Sequence, residues 1–318
     1  MTFKPSFYDP AKVGTLFLPR LYKNPAGVGI VEQEADAMSI PASVTDKEKI
    51  ALMIIDMQID FCHKDGSLYV DGAEEDIRRA ITFILTNMDR ITTIFASLDT
   101  HLIFQIFYRS WWRTLKQQKP DIYSILEKKL MDKGDFQAII DPVGSIEYEA
   151  TLERNSQKKL MLWPYHTMLG TPGNAMDPSL FEILAFHAFA RKSQLNFLQK
   201  GLIPQSEMYG ILKPEVPIAK HKQGGFNTDF LNLLMKHDKV IIMGQAKSHC
   251  VLETELQIYD YFAVVVKDPD VLKKVFIFED CMSSVKHPLV DFEAITQNEF
   301  KKFKKAGMNI MKSTDFQF

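Results

Sequence analysis

The stretch from Lys239 to Tyr259, which reads KVIIMGQAKSHCVLETELQIY, constrains the fold more than any other part of the sequence. A short apolar run at 240–243 stops at Gly244, and apolar positions at helical spacing follow Cys250. This pattern predicts a strand, a tight turn and a helix. In an open parallel sheet, ligands commonly bind beside such a turn at the carboxyl end of a strand.

Cys250 lies at this predicted turn, and its position has two interpretations. In the first, the thiol lies near unpaired backbone N–H groups at a helix N-terminus, which favour the thiolate and lower the pKa of a cysteine. The same amides can hold a developing oxyanion. In the second, Cys250 is a buried residue that packs as a small hydrophobe. Residues at the ends of other predicted strands distinguish these two interpretations.

Composition restricts the class of protein. A chain of 318 residues with 46% hydrophobic and 25% charged residues is typical of a soluble globular protein with one large or two small domains. The net charge of -2 gives no indication of a nucleic-acid or membrane partner. Three cysteines argue against a disulfide framework and fit a reducing compartment. We therefore predict a cytoplasmic protein.

Strand-like and helix-like segments alternate through most of the chain, which predicts an α/β fold. We expect a three-layer α-β-α sandwich with a mostly parallel, Rossmann-like sheet. An N-terminal arm at 1–46 precedes a domain at 47–318, and an insertion at about 102–160 forms a lid or a subunit contact. The predicted strands are 50–55, 92–98, 160–163, 216–220, 240–243, 275–278 and 308–311, and the clearest helices are 72–90 and 181–198.

Charged residues end two of these predicted strands. Asp56 follows the apolar run 50–55, where a buried carboxylate is costly unless it has a partner. It either caps the next turn or serves as a base or charge partner at the edge of the sheet. Lys220 closes the run 216–220, and Pro217 within that run suggests an edge or the start of a strand.

A possible metal site follows two other predicted strands. Asp99 and His101 come after the second strand, and His166 follows the segment 160–163. Carboxylate and imidazole groups together suit Zn, Mn or Fe, and three protein ligands with open positions are typical of a catalytic metal. The alternatives are a chance Asp-x-His pair and a histidine that only makes loop hydrogen bonds.

Taken together, these motifs resemble the isochorismatase-like cysteine hydrolases, and within them the nicotinamidase-related branch. The resemblance rests on ALMIIDMQIDF, GQAKSHC, FEDCMSSV and the WPxH…GTPG pattern at 163–173, and it covers most of 48–315 outside the insertion. It implies a divalent metal, with Zn as the first candidate and Mn or Fe as alternatives. The residues that it implies are a catalytic triad of Asp56, Lys220 and Cys250, metal ligands Asp99, His101 and His166, and aromatic substrate walls Phe61 and Trp163.

The resemblance also implies a reaction. The thiolate would attack an amide carbonyl, the backbone N–H groups of Ala246 and Cys250 would hold the oxyanion, and a thioester would form. A cis peptide at Gln245–Ala246 and a homo-oligomer are further implications. The pattern for a fourth metal ligand falls on Phe107, so none is assigned. The alternatives are an isochorismatase-type hydrolase, an N-carbamoyl hydrolase and a non-catalytic binding protein with the same fold.

Overall fold

The computed structural model describes residues 2–22, 29–156, 159–288 and 290–318. Six strands form a central sheet in which every neighbouring pair is parallel. Numbered along the chain, the strands are β1 (Ile50–Ile55), β2 (Thr93–Asp99), β3 (Trp112–Thr114), β4 (Ile125–Leu126), β5 (Phe136–Ala138), β6 (Leu160–Met161), β7 (Asn196–Lys200), β8 (Lys239–Gly244), β9 (Val275–Phe278) and β10 (Asn309–Met311). Their order in the central sheet is β10-β9-β8-β1-β2-β7.

Helices cover both faces of this sheet. They are α1 (Ile30–Ala37), α2 (Ile59–Cys62), α3 (Ala73–Thr86), α4 (Lys128–Asp132), α5 (Pro142–Ser156), α6 (Pro178–Arg191), α7 (Thr228–Met235), α8 (Leu252–Tyr259) and α9 (Phe292–Lys305). Alternate residues of β1 belong to two separate hydrophobic cores, because successive side chains of a strand point to opposite faces. One core includes residues of α1, α3 and α6, and the other includes residues of α7, α8 and α9. The predicted three-layer α/β fold is therefore confirmed.

The carboxyl ends of four central strands meet at one edge of the sheet. Asp56 follows β1, while β2 and β7 end at Asp99 and Lys200. The register pairs Asp99 with Lys200, and it pairs the last residue of β1 with Gly244 at the end of β8. Chemically active side chains that are far apart in sequence are thus gathered at this edge.

Three strand and helix predictions are wrong. The segment 216–220 forms no strand and ends in a turn. The helix predicted for 181–198 ends at Arg191, because Lys192 adopts a left-handed conformation with φ of 50°. The edge strand β7 follows, and the prediction placed its first three residues, 196–198, in the helix. The segment 160–163 does not join the central sheet, since β6 pairs antiparallel with β4 in a separate small sheet.

The region predicted as an insertion has its own hydrophobic core. Its two small sheets pair β3 with β5 and β4 with β6. Trp111 and Trp112 are buried in this core with Tyr148 of α5, and the core extends to Trp163. None of the helices in the described part of the chain is long and apolar enough to cross a membrane.

The region predicted as an N-terminal arm packs against the central domain. Phe7 and Val13 are buried in the core that includes α6, and α1 contacts α6 directly. Residues 1 and 23–28 of this region lie outside the described residues. The boundary at residue 46 stays a prediction.

Candidate active site

A pocket opens at the carboxyl edge of the central sheet. Most of the residues predicted from the sequence reach its wall, and Asp56 and Lys200 lie behind Cys250, wholly buried. The predicted residues that line the pocket are Phe61, Asp99, His101, Trp163, His166, Ala246 and Cys250.

Lys200 is the centre of the charged cluster behind the pocket. Its Nζ lies 3.0 Å from Asp56 Oδ2, 2.8 Å from Asp99 Oδ1 and 3.5 Å from Cys250 Sγ, and it donates a hydrogen bond of 3.0 Å to the carbonyl of Met208. Asp56 is held from its other side, because Ser97 Oγ donates a hydrogen bond of 2.6 Å to Asp56 Oδ1. A buried ammonium with two carboxylates and a thiol is an arrangement that can stabilise a thiolate and accept its proton.

The prediction that Lys220 lies beside Asp56 and Cys250 is therefore wrong, and Lys200 occupies that place. Lys220 lies exposed in a turn, whereas Lys200 ends β7 directly beside Asp99. The sequence carried a weak signal for Lys200, because the short segment 196–200 contains Phe197 and Leu198 and ends directly before Gly201. That signal was missed because 181–198 was predicted to be one helix.

Burial controls the protonation of Cys250 and of its neighbour Asp56. Burial raises the pKa of the Cys250 thiol well above its ordinary value; Lys200 opposes this effect, and the charges of Asp56 and Asp99 add to it. The expectation of a lowered pKa at Cys250 is therefore wrong. Burial also raises the pKa of Asp56, although Lys200 lowers it. A carboxylate with a raised pKa beside a protonated thiol is suited to accept the thiol proton during the reaction.

The turn that carries Cys250 has an unusual backbone. Gly244 has φ of 144°, and a Cβ at this position would lie 2.1 Å from the carbonyl oxygen of Ile55, so only glycine fits. The peptide between Gln245 and Ala246 is cis, as the resemblance implies. A single π-helical turn, Lys247–Val251, then leads into α8. The N–H of Ala246 makes no hydrogen bond to any described residue, so it is available as an oxyanion donor.

The three predicted metal ligands converge. Asp99 Oδ2 lies 2.9 Å from His101 Nε2 and 3.9 Å from His166 Nε2, and one ligand atom of each residue lies within 4.8 Å of the others. Both imidazoles are oriented through their other nitrogen. His101 Nδ1 lies 3.3 Å from the carbonyl of Gly201, and His166 Nδ1 lies 2.8 Å from the carbonyl of Pro164. Metal-binding histidines are commonly oriented in this way.

Protonation and space also suit a cation at this cluster. Burial and the neighbouring His101 together lower the pKa of His166 to about 4, so the ring is neutral and able to bind a metal near pH 7. Burial raises the pKa of Asp99, but the charges of His101 and Lys200 outweigh burial and lower it overall. A Cβ at Gly201 would lie 2.6 Å from Asp99 Oδ1, so glycine is needed here. The ring of Phe107 lies edge-on to that of His101, with 4.8 Å between the centroids, and offers no fourth ligand.

The fold and the pocket can be compared with known proteins. No protein-family model matches the sequence. The chain is similar to a nicotinamidase of Saccharomyces cerevisiae, with 26% identity over 239 residues that cover 70% of this chain and 92% of that protein. The solved structure of the yeast nicotinamidase Pnc1p matches with a TM-score of 0.54 and 18% identity, over 82% of this chain and 99% of that one. The chain has the nicotinamidase fold. A nicotinamidase and pyrazinamidase structure from Acinetobacter baumanii agrees, with a TM-score of 0.53 and 16% identity, over 85% of this chain and 99% of that one.

The resemblance to the isochorismatase-like hydrolases is thus confirmed.

The pocket also has a wall that was not predicted from the sequence. Glu207, Tyr209 and His249 line it together with Trp163. Trp163 Nε1 donates hydrogen bonds to Glu207 Oε1 at 3.2 Å and to the Tyr209 hydroxyl at 3.0 Å. No motif signalled these contacts, because they join segments that are 44 and 46 residues apart.

Proposed function

We propose that this chain is a cysteine hydrolase that cleaves the C–N bond of a small planar amide through a thioester, with nicotinamide as the first candidate substrate. One observation carries the proposal: Cys250 Sγ faces the pocket 3.5 Å from the buried ammonium of Lys200, which also contacts Asp56 at 3.0 Å. The similarity to a yeast nicotinamidase supports the same activity.

The first half of the reaction forms the thioester. Asp56 accepts the thiol proton of Cys250 as the sulfur attacks the amide carbonyl carbon, and the carbonyl π electrons move to oxygen. The N–H groups of Ala246 and Cys250 stabilise this oxyanion. When the tetrahedral intermediate collapses, the C–N bond breaks, and Asp56 returns the proton to the nitrogen that leaves as ammonia.

The second half releases the acid. A water molecule attacks the thioester carbonyl and gives its proton to Asp56, and the C–S bond then breaks to release the carboxylic acid. The proton on Asp56 returns to the sulfur, which restores the thiol. Lys200 stays protonated throughout, so it stabilises each anionic state of the cluster without taking part in proton transfer.

Asp99, His101 and His166 fit a divalent cation, with Zn preferred and Mn or Fe as alternatives. When bound, such a cation supplies a Lewis-acidic position that can hold a ring nitrogen of the substrate. The aromatic side chains of Phe61 and Trp163 line the same pocket. Stacking against a flat ring contributes about 0.5–1.5 kcal/mol beyond area burial, which favours a heteroaromatic amide over an aliphatic one.

Ammonia release from a panel of amides tests the proposal. We expect hydrolysis of nicotinamide by the wild-type protein and none by Cys250→Ala. Activity on N-carbamoyl compounds alone would favour the carbamoyl hydrolase alternative. Activity on a vinyl ether that survives Cys250→Ala would favour the isochorismatase-type alternative, and binding without turnover would favour a non-catalytic protein.

The cytoplasmic location and the homo-oligomeric state stay predictions of the sequence and of the resemblance. Light scattering on the purified protein tests the second of these. A monomer at micromolar concentration would contradict it.

A further inference from the structure

Glu207 is a buried acid in the wall of the pocket. It is 3% exposed, and burial of a carboxylate is costly unless hydrogen bonds compensate it. Its Oε1 accepts hydrogen bonds from Trp163 Nε1 at 3.2 Å and from the Tyr209 hydroxyl at 2.5 Å. Glu207 therefore holds two aromatic side chains of the wall at the same time. None of the catalytic steps derived above uses this carboxylate.

A tyrosine of the insertion holds Glu207 in turn. Tyr148 lies on α5 and is 4% exposed. Its hydroxyl accepts a hydrogen bond from the Glu207 N–H at 3.1 Å and donates one to Glu207 Oε2 at 3.3 Å. One hydroxyl thus fixes both the backbone and the side chain of the acid. Burial raises the pKa of Tyr148 well above its ordinary value, and the charge of Glu207 adds to this effect, so the phenol keeps its proton.

The insertion also holds Trp163 through the main chain. The Trp163 N–H donates a hydrogen bond of 2.9 Å to the carbonyl of Phe107, and Tyr108 and Trp163 form an isolated parallel β-bridge. The insertion therefore fixes the main chain of Trp163, whereas Glu207 and Tyr209, which follow the insertion in the chain, hold its indole N–H. Glu207 also accepts a hydrogen bond from the Tyr209 hydroxyl, so the orientation of the indole depends on Glu207 through both bonds.

We propose that Tyr148 and Glu207 are positioning residues that orient the Trp163 indole for a planar amide, so that the insertion determines substrate specificity. This inference rests on the proposed function, because it names the part of the chain that selects the substrate of that reaction. Loss of the Tyr148 hydroxyl removes the two hydrogen bonds that it makes to Glu207, so the carboxylate that Trp163 and Tyr209 share is held less firmly. Binding of a flat ring weakens as a result.

The kinetic consequence differs from that of a general loss of structure. Tyr148 is not among the residues that contact Cys250 or its charged partners, so the bond-making steps keep their geometry. Loss of an interaction that is equally strong in the ground state and the transition state raises KM and leaves kcat unchanged. We expect Tyr148→Phe to raise KM for nicotinamide about tenfold, the effect of one hydrogen bond to a charged group, with kcat changed less than about threefold.

Alkylation of Cys250 by iodoacetamide supplies a second readout that does not need turnover. Iodoacetamide is small and not aromatic, so its rate with Tyr148→Phe should equal that of the wild type. The nicotinamide concentration that halves this rate should rise about tenfold in the variant. Tyr259→Phe is the matched control, since this tyrosine lies on α8 and packs against Phe303. Tyr259→Phe should leave KM, kcat, the alkylation rate and the protecting nicotinamide concentration unchanged.

The outcomes separate the two proposals. A wild-type protein that releases no ammonia from nicotinamide refutes the proposed function, and the protection assay still tests the positioning pair. Equal KM and equal protection in Tyr148→Phe and wild type would overturn the inference, as would a parallel fall in kcat and alkylation rate.

If Tyr148→Phe does not fold, Glu207→Gln replaces it, because it keeps the side-chain volume and removes the charge. An unchanged KM and unchanged protection in that variant would also overturn the inference.

Discussion

Replacement of Lys200 by methionine tests the charged cluster most directly. The substitution removes an ammonium that is 0% exposed and leaves Asp56 and Asp99 without their shared cation. Removal of one partner from a buried ion pair costs about 3–5 kcal/mol of unfolding free energy. Removal of one preorganised charge at a reacting centre also lowers kcat by about 100-fold or more. Lys220→Met is the control, and as an exposed substitution it should change the unfolding free energy by less than about 0.5 kcal/mol.

The destabilisation should depend on pH. In the wild type, burial lowers the pKa of Lys200, but Asp56 and Asp99 outweigh burial and raise it well above the ordinary value. The stability that Lys200 contributes is therefore fully present below the unfolded lysine pKa of about 10.4, and it is lost as pH rises through the folded value. In Lys200→Met the two carboxylates repel, so their folded pKa values rise. The variant is then least stable above these raised folded pKa values, and its deficit shrinks as pH falls through them toward the unfolded carboxylate pKa of about 4.

Urea unfolding at pH 5 and pH 8, together with ammonia release from nicotinamide, measures both effects. The deficit of Lys200→Met relative to wild type should be larger at pH 8 than at pH 5. Full activity in Lys200→Met, or loss of activity in Lys220→Met, would refute the assignment of the triad lysine. A loss of unfolding free energy that is equal at both pH values would refute the electrostatic explanation and would indicate that the variant loses packing alone.

Three further predictions follow from the pocket. Iodoacetamide should label Cys250 faster than Cys62 and Cys281 in the native protein, because Cys250 lines the pocket and the other two are 0% exposed; equal rates by peptide mass spectrometry would contradict this. His166→Ala should lower the Zn content of the purified protein from about one ion per chain to near zero, and full metal content by elemental analysis would show that the ion binds elsewhere. Trp163→Ala should lower kcat/KM for nicotinamide by about tenfold or more, and an unchanged value would exclude the indole as a substrate wall.

Much of the site could be predicted from local sequence patterns. Asp56, Asp99 and Cys250 each follow an apolar run, and a parallel sheet gathers such strand ends at one edge. The alternation of strand-like and helix-like segments predicted a parallel sheet with these strand ends at one edge. The expected proximity of Cys250 and Asp56 therefore depended on chain pattern and elementary topology alone. The pKa of Cys250 could not be predicted in this way, because burial and two nearby carboxylates raise it more than Lys200 lowers it.

The lysine and the outer wall of the pocket were decided by tertiary structure. The sequence patterns placed Lys220 at the end of a strand and Lys200 after a helix, whereas the folded chain pairs Lys200 with Asp99 and leaves Lys220 in an exposed turn. The contact between Tyr148 and Glu207 joins residues 59 positions apart, and no local period encodes such a pair. Sequence periodicity specifies which face of an element is buried, so it determined the layers and the strand ends. Which buried polar groups meet depends on how the insertion packs on the domain, and this is a property of the folded chain.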